Sequence, residues 1–223
     1  MTNDVAFSVP QLFRRGSLQN DERASVNSAL KLLDFVRKHA KVEGARMLDF
    51  GCGVKVSQAL RELGDPQELY FGFDVFTEMV DYLKETLKDN PKYDYDNVPF
   101  YNEMYNKNGE PMTADSTLPI KEASFDTALM FSVITHMVPE DSIATLSVLR
   151  RYMKPDGRLV FWAFADPDQE IDFFDENPKR PLLRAKYSSD YMVKIIEQTG
   201  WKIIDQRLRK REHTQTDYIC TPA

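Results

Sequence analysis

Apolar residues recur at helical spacing over residues 21–39, where Val26, Leu30, Leu33, Phe35 and Val36 fall on one face. Arg37, Lys38 and His39 crowd the end of that segment, where positive charge suits a helix dipole. The run Met47-Leu48-Asp49-Phe50 then reads as a short buried strand that carries an acid into the glycine-rich turn Gly51-Cys52-Gly53. A helix is expected over residues 56–63, stopped by Asp65-Pro66, and a second strand over residues 69–73, with Asp74 at its end. Residues 78–88 place Met79, Val80, Leu83 and Leu87 on one helical face. Residues 93–98 alternate like a third strand, and residues 102–111, with Asn106, Asn108 and Gly109, read as a loop.

The second half repeats the rhythm. Residues 125–131 read as a fully buried fourth strand, residues 139–153 as a helix, and Lys154-Pro155-Asp156-Gly157 as a turn into a fifth strand over 158–164. Residues 165–186 are irregular, and a helix over 188–199 ends at Gly200. Strands over 201–207 and 216–220 close the chain as an antiparallel hairpin. Alternating strands and helices imply a parallel sheet covered on both faces. Ligands of such sheets sit beyond the carboxyl ends of the strands, so Asp49, Asp74 and Phe131 are expected around one crevice.

Composition narrows the class. A chain of 223 residues, 42% hydrophobic and 29% charged, suits one soluble domain of moderate size. A net charge of −6 argues against a general nucleic-acid binder, since phosphate contacts need clustered cations. The basic cluster Arg207, Arg209, Lys210 and Arg211 is short and reads as a solvated strand end. No apolar window spans a membrane, and residues 1–4 lack the features of a secretory signal. Cys52 and Cys220 lie far apart, and His39, His136 and His213 are isolated, so no metal site is expected and a reducing, cytoplasmic setting fits.

The glycine turn carries the chemistry. Glycine lets a backbone approach a ligand closely, and the helix that follows offers its amides. Asp74 lies about 25 residues after Asp49, near the spacing at which α/β nucleotide folds place an acid for ribose hydroxyls. A nicotinamide-dinucleotide fingerprint would need one more glycine, where this chain has Ser57 and Gln58.

Asp49-Phe50-Gly51-Cys52-Gly53, Asp74, Ser124-Phe125-Asp126, the run from Ser132 to Met137 and the run from Leu149 to Gly157 occur in one order along most of the chain. In that order they resemble class I S-adenosylmethionine-dependent methyltransferases of the bacterial small-molecule type. The resemblance implies an α/β, Rossmann-like three-layer sandwich. Its sheet has seven strands, mostly parallel, with one antiparallel strand in the C-terminal hairpin. It implies S-adenosylmethionine as cofactor and S-adenosylhomocysteine as product. Gly51, Cys52 and Gly53 would line the methionine part, Asp49 would order the turn, and Asp74 and Val75 would meet the ribose. For adenine, either Asp115 or the pair Asp96 and Asn97 serves. Phe131 and Ser132 would offer backbone. This chain departs from the family pattern at Lys55, which replaces a third glycine and either pairs with a ligand carboxylate or blocks the site.

Methyl transfer needs positioning above all, and a hydroxyl acceptor also needs a base. His136, just after the fourth strand, is the first candidate, against the alternative that it packs the following helix. Residues 1–20 form an arm, and residues 99–115 and 165–187 form substrate-side loops of a single domain. Tyr101, Met104, Tyr105, Phe173, Phe174 and Tyr187 line a small-molecule acceptor pocket or pack these loops onto the core. The acids Asp166, Asp168, Glu170, Asp172, Asp175 and Glu176 either attract an amine or form a solvated face. The expected activity is methyl transfer to oxygen or nitrogen of a small molecule by a monomer or homodimer, with neither nucleic acid nor membrane as partner. The competing reading is a binding or regulatory protein that keeps the fold without transfer.

Overall fold

The computed structural model describes residues 5–223 apart from 15, 103–105, 178 and 211–213. Five strands, β1 (Arg46–Phe50), β2 (Leu69–Asp74), β3 (Tyr93–Asn97), β4 (Phe125–Met130) and β5 (Met153–Asp166), lie parallel in the order β3-β2-β1-β4-β5. Helices α1 (Glu22–His39), α2 (Lys55–Glu62) and α3 (Thr77–Leu87) belong to the first half, and α4 (Pro139–Tyr152) and α5 (Ser189–Gln198) to the second.

The strands read as unbroken apolar runs because both faces of the sheet are covered. Met47, Tyr70, Leu129 and Val160 pack into one core with Val36, Leu60 and Leu83 from α1, α2 and α3. Their neighbours Leu48, Phe71, Ala128, Met130 and Phe161 pack into the other core with Leu149 and Ile195 from α4 and α5. Helix ends follow local chemistry. Asp21 accepts from Ala24 N at 2.9 Å to cap α1, Ser188 accepts from Tyr191 N to cap α5, and Gly200 adopts φ +80° just beyond α5.

The C-terminal hairpin is β8 (Trp201–Arg209) and β9 (Gln215–Pro222), longer at both ends than the apolar pattern suggests. β9 runs antiparallel to β5 and to β8, so β8 runs parallel to the main strands. The seven-stranded sheet expected from the resemblance is therefore present. Two further strands extend it: β6 (Phe173–Asp175) and β7 (Ala185–Ser188) form a ribbon off the end of β5, within the stretch that reads as irregular. β5 itself begins at Met153, and the predicted Lys154–Gly157 turn survives as a bulge between the register pairs Phe125–Met153 and Thr127–Arg158.

Residues 5–14 run along α1, α2 and α3, with Phe7, Val9 and Phe13 buried. Phe13 packs on Phe76 and Tyr82, and Glu22 receives Val9 N at 2.6 Å. Among the described residues no helix is long and apolar enough to cross a membrane.

Trp201 joins the hairpin to α4. It is 1% exposed and donates from Nε1 to the Leu146 carbonyl at 3.0 Å. Trp201→Phe is expected to lower unfolding free energy by about 1–3 kcal/mol and Trp201→Ala by about 3–5 kcal/mol, read from urea denaturation. A loss below about 0.5 kcal/mol for the alanine variant would contradict this packing role.

Candidate functional site

The turn after β1 is held from beneath by β2. The amides of Gly51 and Cys52 both donate to the Phe73 carbonyl, at 2.7 and 2.9 Å. Gly51 adopts φ +75°, and a Cβ there would lie 2.4 Å from Val133 Cγ2, so this glycine is required by packing against the segment after β4. Gly53, at φ +50°, differs. A Cβ there would meet open space, so its backbone is accessible to a ligand. Cys52 is buried against Gly72, and burial with two nearby acids pushes its thiol up, away from the reactive thiolate.

Asp74 is the junction of the site. Its Oδ2 accepts from Gly53 N at 2.9 Å, and its Oδ1 accepts from Phe76 N at 3.0 Å. Its carbonyl accepts from Val98 N at 2.9 Å and from Asn97 Nδ2 at 3.0 Å. One residue thus ties the glycine turn, the segment that leads past Val75 into α3, and the end of β3.

Asp49 lies deeper, 1% exposed, and receives the Tyr70 hydroxyl at 2.7 Å. Burial pushes its carboxyl from the ordinary 3.8 up to about 7; the Tyr70 bond opposes this and the Asp74 charge adds to it.

Beyond β3 the chain turns through paired segments at Phe100–Glu110 and Asn102–Asn106, then returns beside the strand end. The return stretch, Ser116 to Pro119, walls a cavity of about 380 Å³ whose other side is Phe73, Asp96, Asn97 and Val98. Asp96 and Asn97 thus line the cavity, while Asp115 is exposed on the turn before Ser116. Asp96 also holds Lys84 at 2.9 Å.

At the ends of β4 and β5, Phe131 packs on Trp162 with ring centroids 4.6 Å apart, and Trp162 Nε1 reaches Ser132 Oγ at 3.3 Å. Ser132 holds φ +60°, a costly conformation for a residue with a Cβ. His136 follows on a short 3-10 turn, Ile134–His136. Its Nδ1 lies 2.9 Å from the carbonyl of Leu182, a buried leucine at φ +56°. Burial lowers the imidazole's pKa, which the Leu182 and Leu183 backbone partly opposes. The ring is therefore tied to the segment leading into β7.

The remaining sequence candidates scatter. Tyr187 is fully buried and donates to the Met137 carbonyl at 2.7 Å, so it packs the core. Phe173 stacks on Tyr187, while Phe174 and Tyr101 are exposed. Met104, Tyr105, Arg211 and His213 lie outside the described residues. Among the acids, Asp168 pairs with Lys210, Glu176 with Arg184 and Lys186, and Asp175 accepts from Leu182 N. Arg207 and Arg209 flank the buried Asp217. Among the described residues no group of three or more His, Cys, Asp or Glu side chains could hold a metal ion. Tyr70, Val133 and Leu182 are the site's unforeseen supports.

A sheet of this order, with a glycine turn after β1 and an acid ending β2, defines a class I methyltransferase fold. The profile of the methyltransferase domain matches residues 48–161, just over half the chain, and the chain belongs to that family. Solved structures agree in fold. The (4+2)-cyclase SpnF matches at TM-score 0.65 with 17% identity, over 93% of this chain and 84% of that one. The 1,6-didemethyltoxoflavin-N1-methyltransferase of Burkholderia thailandensis, solved with its substrate and S-adenosylhomocysteine, matches at 0.63 with 15% identity, over 93% and 81%. The magnesium protoporphyrin IX methyltransferase of Synechocystis, solved with S-adenosylmethionine, matches at 0.57 with 18% identity, over 94% and 86%. At such identities the likeness speaks for the fold.

The raised Asp49 value has a definite sign. The folded protein keeps a proton that the unfolded chain releases, so stability falls as pH rises from about 4 through about 7. The full loss, on the order of 4 kcal/mol, is present above that window. Asp49→Asn, which still accepts from Tyr70, is expected to flatten this dependence and to be more stable than wild type at pH 8. Parallel denaturation curves of the two proteins from pH 4 to 8 would contradict the assignment.

Proposed function

We propose that the chain binds S-adenosylmethionine across the glycine turn and the Asn97 cavity and transfers its methyl group to oxygen or nitrogen of a small molecule. The observation that carries this reading is the junction at Asp74, with open space above Gly53 on one side and the Asn97 cavity on the other. Asp74 takes the ribose hydroxyls, beside Val75. Asn97 and Asp96 face the adenine, and Asp115 stays at the rim. The Gly51–Gly53 turn and the Phe131–Ser132 backbone flank the methionine part, with Asp49 ordering the turn from below.

When bound, the cofactor supplies an electrophilic methyl on a sulfonium. The protein's task is to align an acceptor and exclude water. In this reading the ribbon β6–β7, with the described residues of the 99–115 loop, faces the acceptor. His136 is neutral near pH 7, as a base must be, yet its contacts with Leu182 and Leu183 favour a role in holding this roof. His136→Ala would then raise the acceptor's KM more than it lowers kcat, whereas a base would show the reverse. The small-molecule acceptor suits a chain of net charge −6.

The test is calorimetric titration with S-adenosylmethionine, S-adenosylhomocysteine and, as control, NADH. Micromolar binding of both sulfur nucleosides and none of NADH is expected. Asp74→Ala should weaken both by roughly a hundredfold or more, since it removes charge-assisted bonds to two hydroxyls. Wild-type binding of neither nucleoside, or unchanged affinity in a folded Asp74→Ala protein, would overturn the reading.

A further inference from the structure

Lys55 is the residue at which this chain leaves its family's glycine pattern, and its surroundings are unusual for a lysine. It occupies the first position of α2, where the helix dipole disfavours a cation. Burial lowers its pKa with no compensating acid among the causes, and it makes no ion pair among the described residues. Its Nζ is turned to the N-terminal arm, 3.9 Å from where a Cβ on Gly16 would stand. Arg14, two residues before Gly16, has its Nε buried without a hydrogen-bond partner among the described residues. Lys55 thus stands just past the glycine turn, partly withdrawn from water and without an ion pair among the described residues. An arrangement of that kind costs stability unless an anion completes it.

Two residues before Lys55, Gly53 has open space where a Cβ would stand. Under the function proposed above, on which this inference rests, the ligand's amino-acid tail lies there. Its carboxylate is the anion within a lysine stem's reach of the turn. We propose that Lys55 grips the amino-acid carboxylate of the nucleoside ligand, with Arg14 of the arm adding the second positive charge. The lysine is accommodated where the family has a third glycine because its Nζ is turned to the arm at Gly16. The tail becomes the part of the ligand on which the chain discriminates. A lysine that closed the site would instead oppose every ligand of this kind.

The experiment compares two nucleosides that differ only beyond the thioether, S-adenosylhomocysteine and 5′-methylthioadenosine, on wild type, Lys55→Met and Arg14→Met. Methionine keeps the length of the stem and removes the charge. Lys55→Met is expected to lose roughly ten- to a hundredfold in affinity for S-adenosylhomocysteine, and to bind 5′-methylthioadenosine within about twofold of wild type. Arg14→Met should show a smaller loss of the same selectivity. Equal loss for both nucleosides would overturn the carboxylate assignment, as would an unchanged or tighter S-adenosylhomocysteine complex in a Lys55→Met protein with wild-type Tm. A wild-type protein that binds neither nucleoside would overturn the proposed function itself, whereas one that binds both equally would overturn only the carboxylate grip.

Discussion

Everything at this site depends on the hydrogen bonds that converge on Asp74. In the glycine turn only Cys52 has a side chain to anchor it, and the two glycines sit in left-handed backbone that is entropically costly to fix. Asp74 fixes it by receiving the Gly53 amide on one carboxylate oxygen, while its other oxygen starts α3 and its carbonyl holds the end of β3. Charge-assisted bonds to backbone amides are among the stronger ones available to a fold. The same carboxylate that assembles the turn is the one offered to a ribose, so structure and recognition draw on one group.

Asp49 shows the opposite economy. It is buried beneath the turn with one hydroxyl partner and an anionic neighbour, and burial drives its carboxyl up to about 7. A stable core would not choose an acid there. Its place makes sense if a cationic group arrives above it, since that charge would favour the ionised form and recover part of the cost. Lys55, partly withdrawn from water and without an ion pair among the described residues, carries the complementary imbalance on the arm side. A zwitterionic tail, ammonium and carboxylate together, answers both.

The sheet was legible because its signal is local. Apolar runs of five or six residues, each followed by an acid, a glycine or a helix of 3.6 periodicity, announce themselves in β1, β2 and β4. Asp49, Gly51, Gly53 and Asp74 could be placed at strand ends for the same reason. What stayed hidden rests on contacts distant in sequence. Tyr70 reaches Asp49 only through the strand register, and Lys55 meets Gly16 only because the arm folds back. The β6–β7 ribbon has strands of three and four residues in a polar stretch, too short for any period to show, and is held by the Phe173–Tyr187 contact. The insertion after β3 returns Ser116 to the cavity at the strand end and leaves Asp115 exposed on the turn before it, a placement that depends on the path of the loop and not on any local pattern.

The central claim is that the turn, the Asp74 junction and the Asn97 cavity form one ligand seat. Amide hydrogen exchange with and without S-adenosylhomocysteine tests it most directly. Slowed exchange confined to residues 50–56, 73–77 and 96–100, with the arm around Gly16 joining them, is the result this account predicts. Protection elsewhere on the sheet, or none at saturating nucleoside, would contradict it.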